Sequence, residues 1–158
     1  MAVHFRTIEF SDQNYGEVIA LLRGNHQVNK QNYWVNIEPA VEEGDVHSSS
    51  VFWKMFSSRG PVIPKFTWVP SYEKKQQIMP GQIGITHPVG TKAVQRLKKF
   101  EVQIPTDWIV CQDHPKRGIV LSLPEIYSDE EVVNLAMGAL RVLSPFEFHG
   151  KFLASVTR

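Results

Sequence analysis

Cysteine is nearly absent from this chain: Cys111 is the only one among 158 residues. That excludes an intramolecular disulfide framework and a closed cysteine-rich zinc centre. Long apolar runs are missing too; nothing approaches the ~20 consecutive apolar residues needed to cross a bilayer. The opening stretch Met1–Phe10 has charges inside its apolar residues and no small-residue cleavage site after them, so it does not read as a secretory leader. These features point to a cytoplasmic protein without a membrane partner. Recognisable catalytic patterns are also lacking. There is no G-x-S-x-G, no H-E-x-x-H and no pair of carboxylates beside an identifiable pocket residue. This lowers the expectation of an enzyme, although sites assembled from distant residues leave no such trace.

What is present is ordinary for a globular domain: 42% hydrophobic residues, 21% charged residues and a formal net charge of +1. Resolved along the chain, that balance is uneven. Residues 1–50 carry 3 Lys+Arg against 7 Asp+Glu, residues 51–120 carry 11 against 4, and residues 121–158 carry 3 against 5. A basic middle of +7 lies between acidic flanks of −4 and −2. Either the segments neutralise one another across the fold, or the middle offers a basic face to an anionic partner.

Apolar spacing predicts the elements. Residues 3–10 read as a strand, followed by a helix capped at Ser11-Asp12, with Tyr15, Val18, Ile19 and Leu22 on one face and a stop at Gly24-Asn25. Tyr33–Ile37 alternates as a strand. Residues 40–80 show no sustained period, and Pro61, Pro64, Pro70 and Pro80 interrupt them. Residues 82–87 read as a strand, 91–100 as a helix, and 108–111 and 119–123 as a hairpin. Ser128 and Glu131 form a capping box ahead of a helix that buries Val132, Ala136, Ala139, Leu140 and Leu143, and 152–156 closes the chain as a strand. The expected fold is a single α+β domain over residues 1–158. Its mixed sheet would carry about three helices mainly on one face, with two β-α-β units flanking an irregular aromatic and basic insertion at 40–80.

Five places carry chemistry. Gly84 to Lys92 has a passing likeness to a phosphate-binding loop, but five residues separate the glycines and Thr91 precedes Lys92. That spacing misplaces the cradle. Only a generic anion site at the start of the next helix survives. On that helix Lys92, Arg96 and Lys99 share a face, with Lys98 beside them, a stripe that suits phosphates or merely solvent. The hairpin tip Asp113-His114-Pro115-Lys116-Arg117-Gly118 projects a guanidinium able to grip a carboxylate or phosphate and an imidazole able to move a proton. Cys111-x-x-His114 is half a metal site at best, and Cys111 is expected to pack within its strand; no metal or other cofactor is expected. Last, Phe52, Trp53, Phe56, Phe66, Trp68 and Tyr72 interleave with Lys54, Arg59, Lys65, Lys74 and Lys75, a mixture that suits a protein-binding patch or base stacking.

The favoured expectation is a non-enzymatic interaction or regulatory module. It would bind a protein partner through an aromatic and basic surface made of Trp53, Lys54, Trp68, Lys92, Arg96, Lys99, His114, Lys116 and Arg117. Two alternatives stand beside it. One is nucleic-acid binding by the same surface. The other is a small enzyme with a histidine acid or base near residues 87–92 or at His114.

Overall fold

A computed structural model of the chain describes residues 6–26, 33–41, 63–145 and 149–157. Nine strands and three helices are described. They are β1 (Thr7–Ser11), α1 (Gly16–His26), β2 (Trp34–Pro39), β3 (Lys65–Val69), β4 (Tyr72–Lys74), β5 (Gln77–Met79), β6 (Gln82–Thr86), α2 (Val94–Lys99), β7 (Ile109–His114), β8 (Gly118–Ser122), α3 (Asp129–Leu143) and β9 (Lys151–Thr157). The class is α+β. Seven strands form one sheet in the order β1-β9-β2-β3-β6-β8-β7, and β4 and β5 form a separate hairpin.

Every pairing in the large sheet is antiparallel, so the mixed sheet expected from the sequence is replaced by an antiparallel one. The two β-α-β stretches do not form units of adjacent strands. β9 inserts between β1 and β2, and three strands separate β9 from β8. Periodicity reports which face of a strand is buried but says nothing about its neighbour, and here the neighbours come from far along the chain.

The expected irregular insertion is also corrected in part. Residues 42–62, which include Trp53 and Lys54, lie outside the described residues. Residues 65–69 form a central strand. Lys65-Phe66-Thr67-Trp68-Val69 alternates outward and inward, with Phe66 and Trp68 fully buried. Pro64 and Pro70 bracket this strand rather than break it, at the ends where a missing N–H disturbs no ladder bond.

One face of the sheet is apolar and closed. Phe10, Val35, Ile37, Phe66, Trp68, Ile83, Ile85, Ile119, Leu121 and Phe152 point into it and join α1, α2 and α3 in one buried cluster. Helix α3 supplies the largest share, burying Val132, Val133, Leu135, Ala136, Met137, Ala139, Leu140 and Leu143. Each fully buried aliphatic or aromatic side chain contributes about 1.5–3 kcal/mol. The capping box forms as the sequence indicates. Ser128 Oγ accepts from the Glu130 N–H at 3.1 Å, and a Glu131 carboxylate oxygen accepts from the Ser128 N–H at 3.3 Å. The opposite sheet face is polar at its centre, where the Asn36 amide donates to Thr157 Oγ1 and accepts from Thr67 Oγ1. No helix among the described residues is long and apolar enough to cross a membrane.

Gly118 opens β8 at φ +82°, and a Cβ placed there would sit 2.1 Å from the Ile85 carbonyl oxygen on the neighbouring strand. Backbone cannot yield that far without breaking the β6–β8 ladder. Gly118→Ala is therefore expected to lower unfolding free energy by about 2–4 kcal/mol, read from urea melts, whereas Gly16→Ala, which meets open space, is expected to cost under about 1 kcal/mol.

Candidate functional site

The start of α2 is held against the β7–β8 hairpin, whose tip carries Lys116 and Arg117. Their arrangement follows from one carboxylate. Asp113, near the end of β7, accepts from the Ala93 N–H at 2.8 Å and the Val94 N–H at 3.4 Å. These are the free donors at the start of α2, so the cap comes from a residue twenty positions away. Two expectations fall with this contact. The helix begins at Val94 and ends at Lys99, not 91–100, and Lys92 stands outside it. The anion site expected at its start is already filled by a protein carboxylate. Glu101, at φ +62°, reverses the chain, and the Val102 N–H donates back to the Leu97 carbonyl at 2.9 Å. Phe100 consequently leaves the apolar face assigned to it and is 54% exposed.

The same bond draws the hairpin tip beside the turn that carries Lys92. Within the tip, His114 Nδ1 accepts from the Lys116 N–H at 3.0 Å and the Arg117 N–H at 3.1 Å. The Gln112 amide donates to the Arg117 and Gly118 carbonyls at 3.3 and 3.2 Å. His114 is therefore a turn-forming acceptor through its Nδ1. The side chains of Lys116 and Arg117 stay exposed, as do those of Lys92, Lys98 and Lys99. Arg96 is held over the Phe100 ring at 5.5 Å while its Nε donates to the Val142 carbonyl at 3.3 Å.

Trp68 is the site residue that the structure removes from the surface. It is 0% exposed, in the middle of the sheet. Its Nε1 donates to the Tyr127 hydroxyl at 3.1 Å and its ring meets His26 edge-on at 4.8 Å. Alternation in β3 turns Trp68 to the same side as Phe66, towards the helices. Cys111 is likewise displaced from its expected place. It is exposed, lying at a bulge between Val110 and Gln112, and with His114 bound to backbone the two do not converge on a metal. Among the described residues no three His, Cys, Asp or Glu side chains gather as ligands.

One cluster had no sequence signal. His26 Nε2 lies 2.7 Å from Asp129 Oδ1, joining the end of α1 to the start of α3 across 103 positions. Tyr127 packs beside His26, and its hydroxyl is pushed up to about 12, chiefly by burial; the Trp68 hydrogen bond opposes the shift and Asp129 adds to it. The phenol thus stays protonated at neutral pH, and the cluster acts as a polar brace between α1, α3 and β3. A depression of about 430 Å³ beside it is lined by Ile19, Arg23, Tyr127, Ser128, Asp129 and Glu130.

His87, the histidine expected as an acid or base near residues 87–92, lies just after β6. It is 2% exposed, and neither ring nitrogen has a hydrogen-bond partner. Burial lowers its pKa below the usual 6.5, and the nearby Asp113 carboxylate opposes that shift. None of the cavities described is lined by His87. No family model, curated protein or solved structure matches the chain.

Because the folded chain holds His87 neutral more strongly than the unfolded chain does, stability is full above pH 6.5 and falls as pH drops below it. Urea melts between about pH 7.5 and pH 5 are expected to show this slope, and His87→Leu is expected to flatten it while changing neutral-pH stability by no more than about 1 kcal/mol. Asp113→Ala is expected to cost about 1–2 kcal/mol through loss of the α2 cap, with hydrogen exchange quickening at Ala93 and Val94.

Proposed function

We propose that this chain is a non-enzymatic interaction module, regulatory in character, that receives an acidic protein partner on the basic face of α2 and the β7–β8 tip. The observation that carries this reading is the state of the cations there. Lys92, Lys98, Lys99, Lys116 and Arg117 are exposed, and among the described residues none lies within ion-pair distance of an acid. Lys65, also from the basic middle, meets Glu38 at 3.2 Å. The other Arg or Lys pairs, Arg141–Asp12 and Lys151–Glu9, join the acidic flanks to each other. These five described cations therefore keep their charge unpaired at the surface. Asp113, on β7 beside the tip, is engaged by the start of α2.

Phe100 supplies an aromatic element that Trp68 cannot. Its exposed ring lies beneath Arg96 and next to Lys98 and Lys99. An exposed aromatic under a guanidinium, bordered by cations, is the type of anchor that protein interfaces favour. The exposed thiol of Cys111 fits a reducing compartment and so a cytoplasmic setting. A single described exposed aromatic ring on this face is poor equipment for stacking successive bases, which favours protein over nucleic acid.

Capture from native lysate, with and without nuclease, tests the reading. Wild type is expected to retain protein partners after nuclease treatment. A variant carrying Lys92→Glu, Lys99→Glu, Lys116→Glu and Arg117→Glu is expected to lose them at least about tenfold. Retention of the same partners by that variant would place the binding surface elsewhere. Release of all bound material by nuclease, with a steep salt dependence, would establish nucleic-acid binding instead.

A further inference from the structure

His87 is a buried titratable side chain that neither the bracing of the fold nor the basic face uses. It stands one residue beyond β6 and continues the inward alternation of Ile83 and Ile85. Ile85 lies opposite Ile119 on β8, and Ile119 lies opposite Asp113 on β7, so the three form a row across the sheet. His87 is the next inward residue along the chain from that row. Both of its ring nitrogens are buried without a partner. A neutral imidazole there leaves one N–H unsatisfied, whereas an imidazolium leaves two and a buried charge.

The charged group that acts on His87 is Asp113. The other charged groups of the region are engaged elsewhere or face solvent. Lys92, Lys116 and Arg117 are exposed, Arg96 reaches the Val142 carbonyl, and His114 is turned into the tip by two backbone N–H groups. On α3, Arg141 meets Asp12, Asp129 meets His26, and Glu131 accepts from the Ser128 N–H. Asp113 itself has both oxygens occupied by the start of α2, Oδ1 by the Ala93 N–H and Oδ2 by the Val94 N–H. Those bonds hold a weakly anchored element. α2 has six residues, buries only Leu97, and has no side-chain cap of its own. Its main packing partner is α3, and the chain leading into it turns at Gly90, φ +74°. A short helix held in this way belongs to the low-stability end of a fold, where opening does not require global unfolding.

We infer that His87 is the trigger of an acid-operated release of α2. When the ring takes a proton from solvent, the Asp113 carboxylate turns from the Ala93 and Val94 N–H groups to the imidazolium. The start of α2 then loses its acceptors, and residues 88–99 open while the sheet and α3 stay packed. The exchange has a definite direction. A carboxylate–imidazolium bond is charged on both sides, the two backbone bonds on one only, and a buried cation needs a partner. Burial lowers the His87 pKa below the usual 6.5, so the device rests at neutral pH and acts in acid. Lys92, Lys98 and Lys99 ride on the segment that opens. The release is a property of the chain alone and does not rest on the acidic partner proposed above.

Nuclear magnetic resonance on the purified full chain, from about pH 7.5 to about pH 5, tests the proposal. The His87 ring resonances are expected to titrate, with the Ala93 and Val94 amide resonances moving at the same midpoint. Hydrogen-exchange protection factors at Ala93, Val94 and Leu97 are expected to fall at least about tenfold over that range, while those at Leu135 and Leu140 in α3 change less than about threefold. His87→Leu is expected to hold protection at Ala93, Val94 and Leu97 level with pH. Asp113→Asn keeps an acceptor at the helix start but removes the charge. It is expected to lower the His87 midpoint and to uncouple the Ala93 and Val94 shifts from it. A His87 titration that leaves those two amides unmoved overturns the proposal. So does an equal loss of protection in α3, a loss that persists in His87→Leu, or the absence of any His87 titration before global unfolding. Should His87→Leu fail to fold by circular dichroism, Asp113→Asn and the wild-type contrast between α2 and α3 decide the matter.

Discussion

The burial of α3 against the middle of the sheet is the contact on which the other elements depend. Its eight buried side chains meet the floor formed by Val35, Ile37, Phe66, Trp68 and Ile83, strands that the chain order scatters over some fifty residues. A seven-stranded antiparallel sheet with one polar face needs a cover for the other, because half its side chains are apolar. α3 is the only described helix long enough to lie over several strands, and α1 and α2 pack at its sides. The capping box matters for the same reason: it sets where that cover starts, and its neighbour Asp129 ties the start to His26 at the end of α1.

Once the floor is covered, smaller contacts place the surface features. α2 has six residues, too few to be stable by its own hydrogen bonds. It holds because Leu97 is buried and because Asp113 takes the donors at its start. That single carboxylate aligns the β7–β8 tip with the lysine-bearing turn. Its own charge is spent on that helix start and not on the neighbouring cations. Asp113 therefore links stability and surface charge, and the field of His87, Asp113 and the α2 cap is one connected region. A buried imidazole with no hydrogen bond is costly. His87 is retained here beside the carboxylate that opposes its loss of charge.

Legibility differed between elements for physical reasons. α3 was readable in its capping box and in the burial of Val132, Ala136, Ala139, Leu140 and Leu143, though not of Val133, Leu135 and Met137, because helices form from contacts three and four residues apart. Strands with clear alternation, such as β2 and β8, were readable as strands. β3 was not, since Pro64 and Pro70 stand so close to it that they read as interruptions. Of the site, the cations were legible as exposed because a charged side chain seldom finds cheap burial. Trp68 was not, because an aromatic residue among lysines suits a roof over the core as well as a binding patch. Only its register against Ile83 and Val35 decides between the two. His26–Asp129 and Asp113–Ala93 had no local sign at all, each joining residues that the sequence keeps far apart.

The sequence by itself determined the α+β class, the long capped helix, the uneven charge of the chain and the lack of disulfide or cysteine-rich metal chemistry. All of these depend on composition or on spacings within one helical turn or one strand. Only the tertiary structure decided strand order, the antiparallel sense of the sheet, the removal of Trp68 to the core, the filling of the α2 donors by Asp113 and the exposure of the β7 edge. Each of these depends on which distant segments pair, and pairing is settled by the joint burial of one sheet face, a property that no single segment possesses.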